Sequence, residues 1–85
     1  MTGTLTVPVR LFARYAELLG TERIAVEVAE PATVGAVLAR LRAAHPAAAA
    51  LPARPLVAVN LRQVALDAPV SAGDELALLP PLSGG

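Results

Sequence analysis

Strict alternation of apolar and polar residues near both ends of the chain, around a central helical pattern, constrains the fold more than any other feature. Over residues 4–12 every second residue, from Leu5 to Leu11, is apolar, and those between are polar residues or proline. This period of two is typical of a strand with one buried face. The alternation recurs over residues 23–28 and 75–79. The chain is therefore expected to build a sheet that buries one face.

One segment between these strands has helical spacing instead. After Thr33, whose side chain suits a helix N-cap, apolar residues recur three or four positions apart. These residues are Val34, Val37, Leu38 and Leu41. Pro46 ends this main helix. A second, short helix is predicted over residues 13–19, with Gly20 as its C-terminal stop.

Shorter apolar runs complete the pattern. Residues 56–59 and 64–66 predict strands joined by a turn at 61–63, and residues 47–55 are rich in alanine and proline, which favours a loop. The order is strand, short helix, strand, helix, then two or three strands. It predicts an α+β domain in which one main helix crosses one face of a mixed sheet of four to five strands. The domain is expected to span residues 1–79, followed by a C-terminal tail of residues 80–85.

Pro8 conflicts with the first strand, because proline has no N–H to donate to a neighbouring strand. Two outcomes are open: regular pairing starts only at about Val9, or the missing N–H faces an unpaired side. Both outcomes keep the strand in the sheet and differ in where its first hydrogen bonds lie.

Composition narrows the chemistry that the chain can perform. Its 85 residues suffice for a single core. Cysteine is absent and His45 is the single histidine, so we expect no metal site and no Ser-His-Asp triad. Seven arginines balance seven acidic residues and aromatic residues make up 2%, a composition unlike that of nucleic-acid binders. Without a signal sequence or an apolar run of about 20 residues, we expect a cytoplasmic protein with no membrane partner.

Phe12 and Leu79 are the candidate residues for a partner interface. If the first and last strands are neighbours, both side chains lie near the same end, on the face opposite the main helix. Two large apolar side chains exposed where the chain leaves the sheet indicate a docking surface. In the alternative, the short helix at residues 13–19 folds back and covers them.

The C-terminal tail carries the candidate reactive group. It consists of Pro80, Pro81, Leu82, Ser83, Gly84 and Gly85. Pro80 and Pro81 cannot continue a strand and favour an extended backbone, which directs the tail away from the domain. Gly84 and Gly85 have no side chain and can enter a narrow channel. The carboxylate of Gly85 is a poor acyl donor until a partner converts it to an acyl-adenylate, from which a nucleophile displaces the nucleotide. In the alternative, the tail is a frayed end without function.

Five stretches of the chain resemble the ubiquitin-like β-grasp sulfur carriers, and most closely the small subunit of molybdopterin synthase. They are Val9-Arg10-Leu11-Phe12-Ala13-Arg14, Glu17-Leu18-Leu19-Gly20, Val57-Ala58-Val59-Asn60, Ala72-Gly73-Asp74-Glu75-Leu76-Ala77 and Leu79-Pro80-Pro81-Leu82-Ser83-Gly84-Gly85. The chain departs from the family where Leu78-Leu79 replaces common aromatic residues and where the 47–55 loop is unusually rich in alanine. These departures bear on partner specificity. The resemblance implies a β-grasp fold.

The resemblance also implies a sulfur-donating subunit that is not an enzyme on its own. An ATP-dependent adenylating enzyme would activate Gly85, and sulfur would be installed there as a thiocarboxylate. The tail would then enter the large, catalytic subunit of molybdopterin synthase and donate sulfur to a pterin precursor in molybdenum cofactor biosynthesis. No cofactor is expected on this chain, since ATP is used by the activating enzyme.

Three alternatives to that function stay open. The same mechanism could serve thiazole, cysteine or tRNA thiolation. The chain could instead be a ubiquitin-like protein modifier that forms isopeptide bonds, although a sequence without lysine forbids lysine-linked chains of this protein on itself. The last alternative is an interaction domain whose tail has no chemistry.

Overall fold

Ten segments of regular secondary structure follow one another along residues 3–80, the part of the chain that this computed structural model describes. In chain order they are β1 (Thr4–Leu11), α1 (Arg14–Leu19), β2 (Arg23–Ala29), β3 (Ala32–Thr33), α2 (Val34–Ala44), a 3₁₀ helix (Pro46–Ala50), β4 (Leu56–Val59), β5 (Arg62–Val64), β6 (Pro69–Val70) and β7 (Leu76–Leu79). The three alternating segments form β1, β2 and β7, and the segment with helical spacing forms α2. Helix α1 ends at Gly20, whose φ of 74° is a left-handed conformation that glycine adopts without steric cost.

Five strands form one mixed sheet in the order β2-β1-β7-β4-β5. Strand β1 pairs antiparallel with β2 and parallel with β7, and β4 pairs antiparallel with both β7 and β5. The first and last strands of the chain are therefore neighbours in the middle of the sheet. This arrangement, with one main helix on one face, confirms the predicted α+β, β-grasp architecture.

Helix α2 lies across one face of the sheet and closes the core. Its N-cap is Thr33, whose hydroxyl accepts a hydrogen bond from the backbone N–H of Ala36 at 3.2 Å. The side chains between helix and sheet are at most 6% exposed: Leu5, Val7, Val9, Leu11, Leu76 and Leu78 from the central strands, and Val34, Val37, Leu38 and Leu41 from the helix. Each such burial contributes about 1.5–3 kcal/mol, so these ten residues dominate the stability of the domain.

Hydrogen bonds at both ends of the β1–β2 pair show where Pro8 faces. The N–H of Leu11 donates to the carbonyl of Glu22, and the N–H of Glu30 donates to that of Gly3, each at 2.9 Å. Odd-numbered residues of β1 therefore bond to β2. Pro8 is even-numbered, so its nitrogen faces the β7 side, where pairing begins only one residue later. The missing N–H faces an unpaired side, which is the second of the two expected outcomes, and β1 pairs with β2 along residues 4–10.

Three details between α2 and β7 differ from the sequence-based prediction. Residues 46–50 form a 3₁₀ helix where a loop was expected. The turn before β5 falls at Asn60 and Leu61 and not at 61–63, so β5 begins earlier than predicted. Strand β6 was not predicted, and it pairs with β3 in a separate two-stranded sheet. Strands of two residues are too short to show a period of two, which explains why the sequence pattern missed β3 and β6.

The β4–β5 turn is unusual because it contains a leucine where glycine is the common residue. Asn60 and Leu61 have φ of 50° and 72°, as in a type I′ hairpin turn, and Leu61 is 93% exposed. Asn60 stabilises this turn from the side: its side-chain oxygen accepts from the N–H of Glu75 at 3.0 Å, and its amide donates to Asp74 at 2.8 Å. The segment before β7 thus holds the turn in place.

Replacing Asp74 with asparagine should lower the free energy of unfolding at neutral pH. It should also make that free energy less dependent on pH in acid. The Asp74 carboxylate accepts from the backbone N–H of Ser71 and from the side chain of Asn60, and these two bonds hold its pKa below the ordinary 3.8. Because the pKa is lower in the folded than in the unfolded chain, this stabilisation is complete above about pH 4 and is lost as the pH falls through the folded-state pKa. We expect Asp74→Asn to lose about 1 kcal/mol at pH 7.

Urea unfolding at pH 7 and near pH 3 measures this effect. The free energies of unfolding of the unsubstituted chain and of Asp74→Asn should differ at pH 7 and become more similar near pH 3. Asp67→Asn is the matched control, because the Asp67 side chain accepts no hydrogen bond within residues 3–80. An equal loss for Asp74→Asn at both pH values would show that the carboxylate does not act through its charge.

Candidate functional site

Strand β7 ends beside the end of β1, and Pro80 begins the C-terminal tail there. Strands β1 and β7 run parallel, and Leu11 is the register partner of Leu78. Leu11 and Leu78 point into the core, with 3% and 0% exposed. The residues that follow them, Phe12 and Leu79, therefore lie next to each other where both strands end, and the alternation turns them to the face opposite α2.

A third apolar residue, Leu56, extends this pair onto the next strand. It is the register partner of Leu79 and is 37% exposed, similar to Phe12 at 36%, while Leu79 is partly buried. We call Phe12, Leu79 and Leu56 the apolar patch. The patch crosses three neighbouring strands at the point where Pro80 continues the chain. Sequence reasoning missed Leu56 because the pairing of β4 with β7 was not foreseen; the available signal was Val57, a core residue whose neighbour in a strand must face outward.

Helix α1 leaves Phe12 exposed and buries Tyr15 instead. Tyr15 is 3% exposed and belongs to the core. The chain turns at Phe12 itself, whose carbonyl accepts from the N–H of Tyr15 at 3.0 Å, and Ala13 has a positive φ of 50°. This sharp turn carries α1 away from the outer face, so the helix does not cover Phe12 as the alternative expectation had it.

The charges beside the apolar patch favour a negatively charged partner. Arg10 and Arg23 are register partners on β1 and β2, an arrangement that brings two like charges together. Arg23 is neutralised by Glu75 at 3.3 Å, the ion pair that residues 3–80 contain. The guanidinium carbon of Arg10 instead lies 5.3 Å from the centre of the Phe12 ring, a cation–π contact worth about 0.5–1 kcal/mol at an exposed site. Arg10 therefore presents an uncompensated positive charge at the rim of the patch.

Most of the tail lies outside the described residues. Pro80 follows β7 and is partly buried, whereas the roles assigned to Pro81, Leu82, Ser83, Gly84 and Gly85 fall on residues that the structure does not describe. Across residues 3–80, no group of three His, Asp or Glu side chains is placed to hold a metal ion. No helix in that part of the chain is long and apolar enough to cross a membrane.

The ubiquitin-like carrier proteins share one architecture: a β-grasp sheet in which the last strand lies beside the first and leads to the C-terminus. Sequence comparison gives the family within that class. Residues 9–85 match the ThiS family, and the chain belongs to it.

Similar proteins come from archaea and bacteria. Small archaeal modifier protein 1 of Haloferax volcanii is 42% identical over 87 residues, which cover 89% of this chain and 97% of that protein. Its crystal structure superposes with a TM-score of 0.83 at 40% identity and covers 98% of this chain and 100% of its own. A putative molybdopterin converting factor, subunit 1, from Pyrococcus furiosus has a TM-score of 0.78 at 24% identity, with 92% and 99% covered. At 23% identity, a complex of subunits 1 and 2 of molybdopterin-converting factor from Helicobacter pylori gives a TM-score of 0.64, with 95% of this chain and 100% of that chain covered.

These comparisons confirm the predicted superfamily and leave its narrower branch as a proposal. The chain is a ThiS-family, ubiquitin-like protein of the sulfur-carrier and modifier type. The two molybdopterin-related structures share the fold at an identity below 25%, whereas the protein of higher identity is a modifier. Both branches therefore enter the proposed function.

Proposed function

We propose that this chain is a carrier whose Gly85 carboxylate is activated by a partner enzyme and then joined to a nucleophile. The observation that supports the proposal is the position of the apolar patch around the start of the tail. A partner that docks on Phe12, Leu79 and Leu56 would receive the tail directly. Extended, residues 80–85 reach about 20 Å, which is enough to enter an active site on that partner.

ATP supplies the activation in this cycle. The Gly85 carboxylate attacks the α-phosphorus of ATP, pyrophosphate leaves, and an acyl-adenylate forms. A nucleophile then adds to the acyl carbon and AMP leaves. Sulfur at the oxidation level of sulfide gives a thiocarboxylate, and a lysine amine gives an isopeptide. In both cases this chain supplies the acyl group, while the ATP site and the catalytic side chains belong to its partners.

Attachment to a protein lysine is the product favoured by the relatives. The protein that is 42% identical is a modifier, and its fold agrees with this chain over nearly the whole length of both. Since this chain has no lysine, a second copy could not be joined to it through a lysine side chain. Each modified lysine of a target would therefore carry a single copy on that route.

Sulfur donation to the large subunit of molybdopterin synthase is the second candidate. The ending Pro80-Pro81-Leu82-Ser83-Gly84-Gly85 resembles that branch of the superfamily. The fold likeness to a subunit that assembles with a second subunit agrees with such a partner. In this case the thiocarboxylate sulfur would pass to a pterin precursor; carriers for thiazole, cysteine or tRNA thiolation differ from it in the acceptor alone.

Intact mass spectrometry separates these products. The purified chain is incubated with ATP, an adenylating enzyme that loads a known carrier of this family, and a sulfur donor. We expect a mass gain equal to the exchange of one oxygen for one sulfur at Gly85, absent without ATP. A second incubation, with a cell extract in place of the sulfur donor, should give this chain joined to target lysines if it is a modifier. No mass change and no adduct, under conditions that load the known carrier, would refute both routes.

A further inference from the structure

Strand β2 forms an open edge of the five-stranded sheet. The bonds from Leu11 to Glu22 and from Glu30 to Gly3 show that even-numbered residues of β2 face β1. The odd-numbered residues of β2 therefore direct their N–H and carbonyl groups away from the sheet. An edge of this kind is a template for a further strand.

Side chains cover parts of this edge and leave its middle free. The Thr21 hydroxyl accepts from the N–H of Arg23 at 3.3 Å and donates to its carbonyl at 3.1 Å. Farther along, the Nε–H of Arg40 donates to the carbonyl of Glu27 at 3.3 Å. Between them, the N–H and carbonyl of Ala25 and the N–H of Glu27 have no hydrogen-bond partner in the described part of the chain. The free stretch lies at the centre of a seven-residue strand without glycine or proline.

A groove between β2 and helix α2 runs along the same edge. It consists of a narrow hollow of about 60 Å³, bordered by Val26, Leu41 and Ala44, and a wider hollow of about 360 Å³ next to Val28. Arg40 borders both hollows. Glu27 also borders both hollows, so the groove has a mixed lining in which apolar residues lie beside Arg40 and Glu27.

The guanidinium of Arg40 has bonding capacity left. Its Nε–H is used by the Glu27 carbonyl, and no carboxylate within residues 3–80 forms an ion pair with it. Its terminal nitrogens can therefore bind a carboxylate from another molecule in the two-pronged geometry that arginine favours. The opposite edge strand, β5, has three residues and offers a much shorter template.

We propose that the open edge of β2 binds an extended peptide segment of a partner protein as an added strand. Its apolar side chains enter the groove beside α2, and one of its carboxylates faces Arg40. Main-chain bonds to Ala25 and Glu27 provide affinity, and the groove and Arg40 provide specificity. This binding does not use the apolar patch or Gly85. It can therefore be tested independently of the carrier chemistry.

Titration with a synthetic peptide, followed by ¹H–¹⁵N NMR, tests the proposal. The probe is an eight-residue peptide that alternates valine with threonine and ends in two aspartates, added up to about 1 mM. We expect shift changes confined to β2 and to the α2 residues that face it, with Arg40 among them. The same peptide with arginines in place of the aspartates should bind about tenfold more weakly.

Two variants test the two parts of the contact. Arg40→Glu should weaken binding of the acidic peptide about tenfold and improve binding of the arginine peptide. Arg62→Glu on β5 is the matched control and should change the binding of neither peptide. Ala25→Pro removes an outward N–H without taking a bond from the β1 ladder, and it should abolish binding.

Three results would overturn the proposal. The first is a set of shift changes centred on β5 or on the apolar patch, and the second is the absence of shift changes at about 1 mM peptide. The third is an Arg40→Glu variant that binds both peptides as the unsubstituted protein does. A dimer in sedimentation experiments that the peptide dissociates would assign the edge to a second copy of this chain and would also overturn it.

Discussion

Deleting Gly85 will abolish ATP-dependent loading of the chain and leave its thermal unfolding unchanged. The deletion leaves a carboxylate on Gly84, but that group lies about 3.3–3.6 Å short of the position where the partner enzyme holds the reacting carbon. A displacement of about 1 Å at a reacting centre already costs about a hundredfold in rate. We therefore expect a loss of at least that size in adenylation, measured as pyrophosphate exchange. Stability should not change because the core is built from residues 5–78.

Ser83→Ala is the matched control for this deletion. It alters the tail but keeps its length and its final carboxylate, so loading should persist. If the chain without Gly85 were loaded at the rate of the full chain, the reacting group would not be the Gly85 carboxylate and the carrier mechanism would be wrong. If the deletion lowered the unfolding temperature, the tail would belong to the folded domain and not to the reaction.

The sequence predicted the central elements of the fold because they are long enough to show their period. Eight residues of β1 and seven of β2 alternate visibly, and α2 has both a capping threonine and four buried residues at helical spacing. Since one face of each strand must be buried, the same alternation also gave the outward direction of Phe12 and Leu79. These predictions depend on local sequence alone.

The parts that the sequence did not predict depend on contacts between distant residues. Strands β3 and β6 consist of two residues each, and their pairing joins segments about 37 positions apart. The β4–β5 turn lacks the expected glycine, since Leu61 occupies a positive φ that Asn60 and the segment before β7 stabilise from outside. The sequence did not predict Leu56 as part of the candidate site for the same reason, because only the pairing of β4 with β7 places it beside Leu79.

Leu79→Arg should weaken docking of the activating enzyme about 100-fold while the domain stays folded. The tail loses about 1–2 kcal/mol of backbone entropy for each residue that becomes ordered in the partner, and Gly84 and Gly85 bury almost no apolar surface to offset this. The free energy must therefore come from docking of the folded domain, where a few central apolar residues dominate an interface. An arginine at position 79 would remove one of them and place a charge inside the apolar contact, where its desolvation costs free energy.

Steady-state kinetics with the adenylating enzyme distinguish docking from chemistry. For Leu79→Arg we expect the KM for this chain to rise about 100-fold with kcat nearly unchanged, whereas deletion of Gly85 should act on kcat. Thr6→Arg is the matched control: Thr6 is exposed on the same face of β1, about 20 Å from the patch, and the variant should keep its KM.

Phe12→Ala provides the test that could contradict the apolar patch altogether. Because Phe12 is 36% exposed and lies outside the core, its truncation should cost less than about 1.5 kcal/mol in urea unfolding. It should raise the KM in the same way as Leu79→Arg, since both residues would contact the same surface of the enzyme. If Phe12→Ala unfolded the domain, Phe12 would be a core residue. If it left the KM unchanged, the enzyme would dock elsewhere, and the tail would have to be ordered by contacts outside the patch.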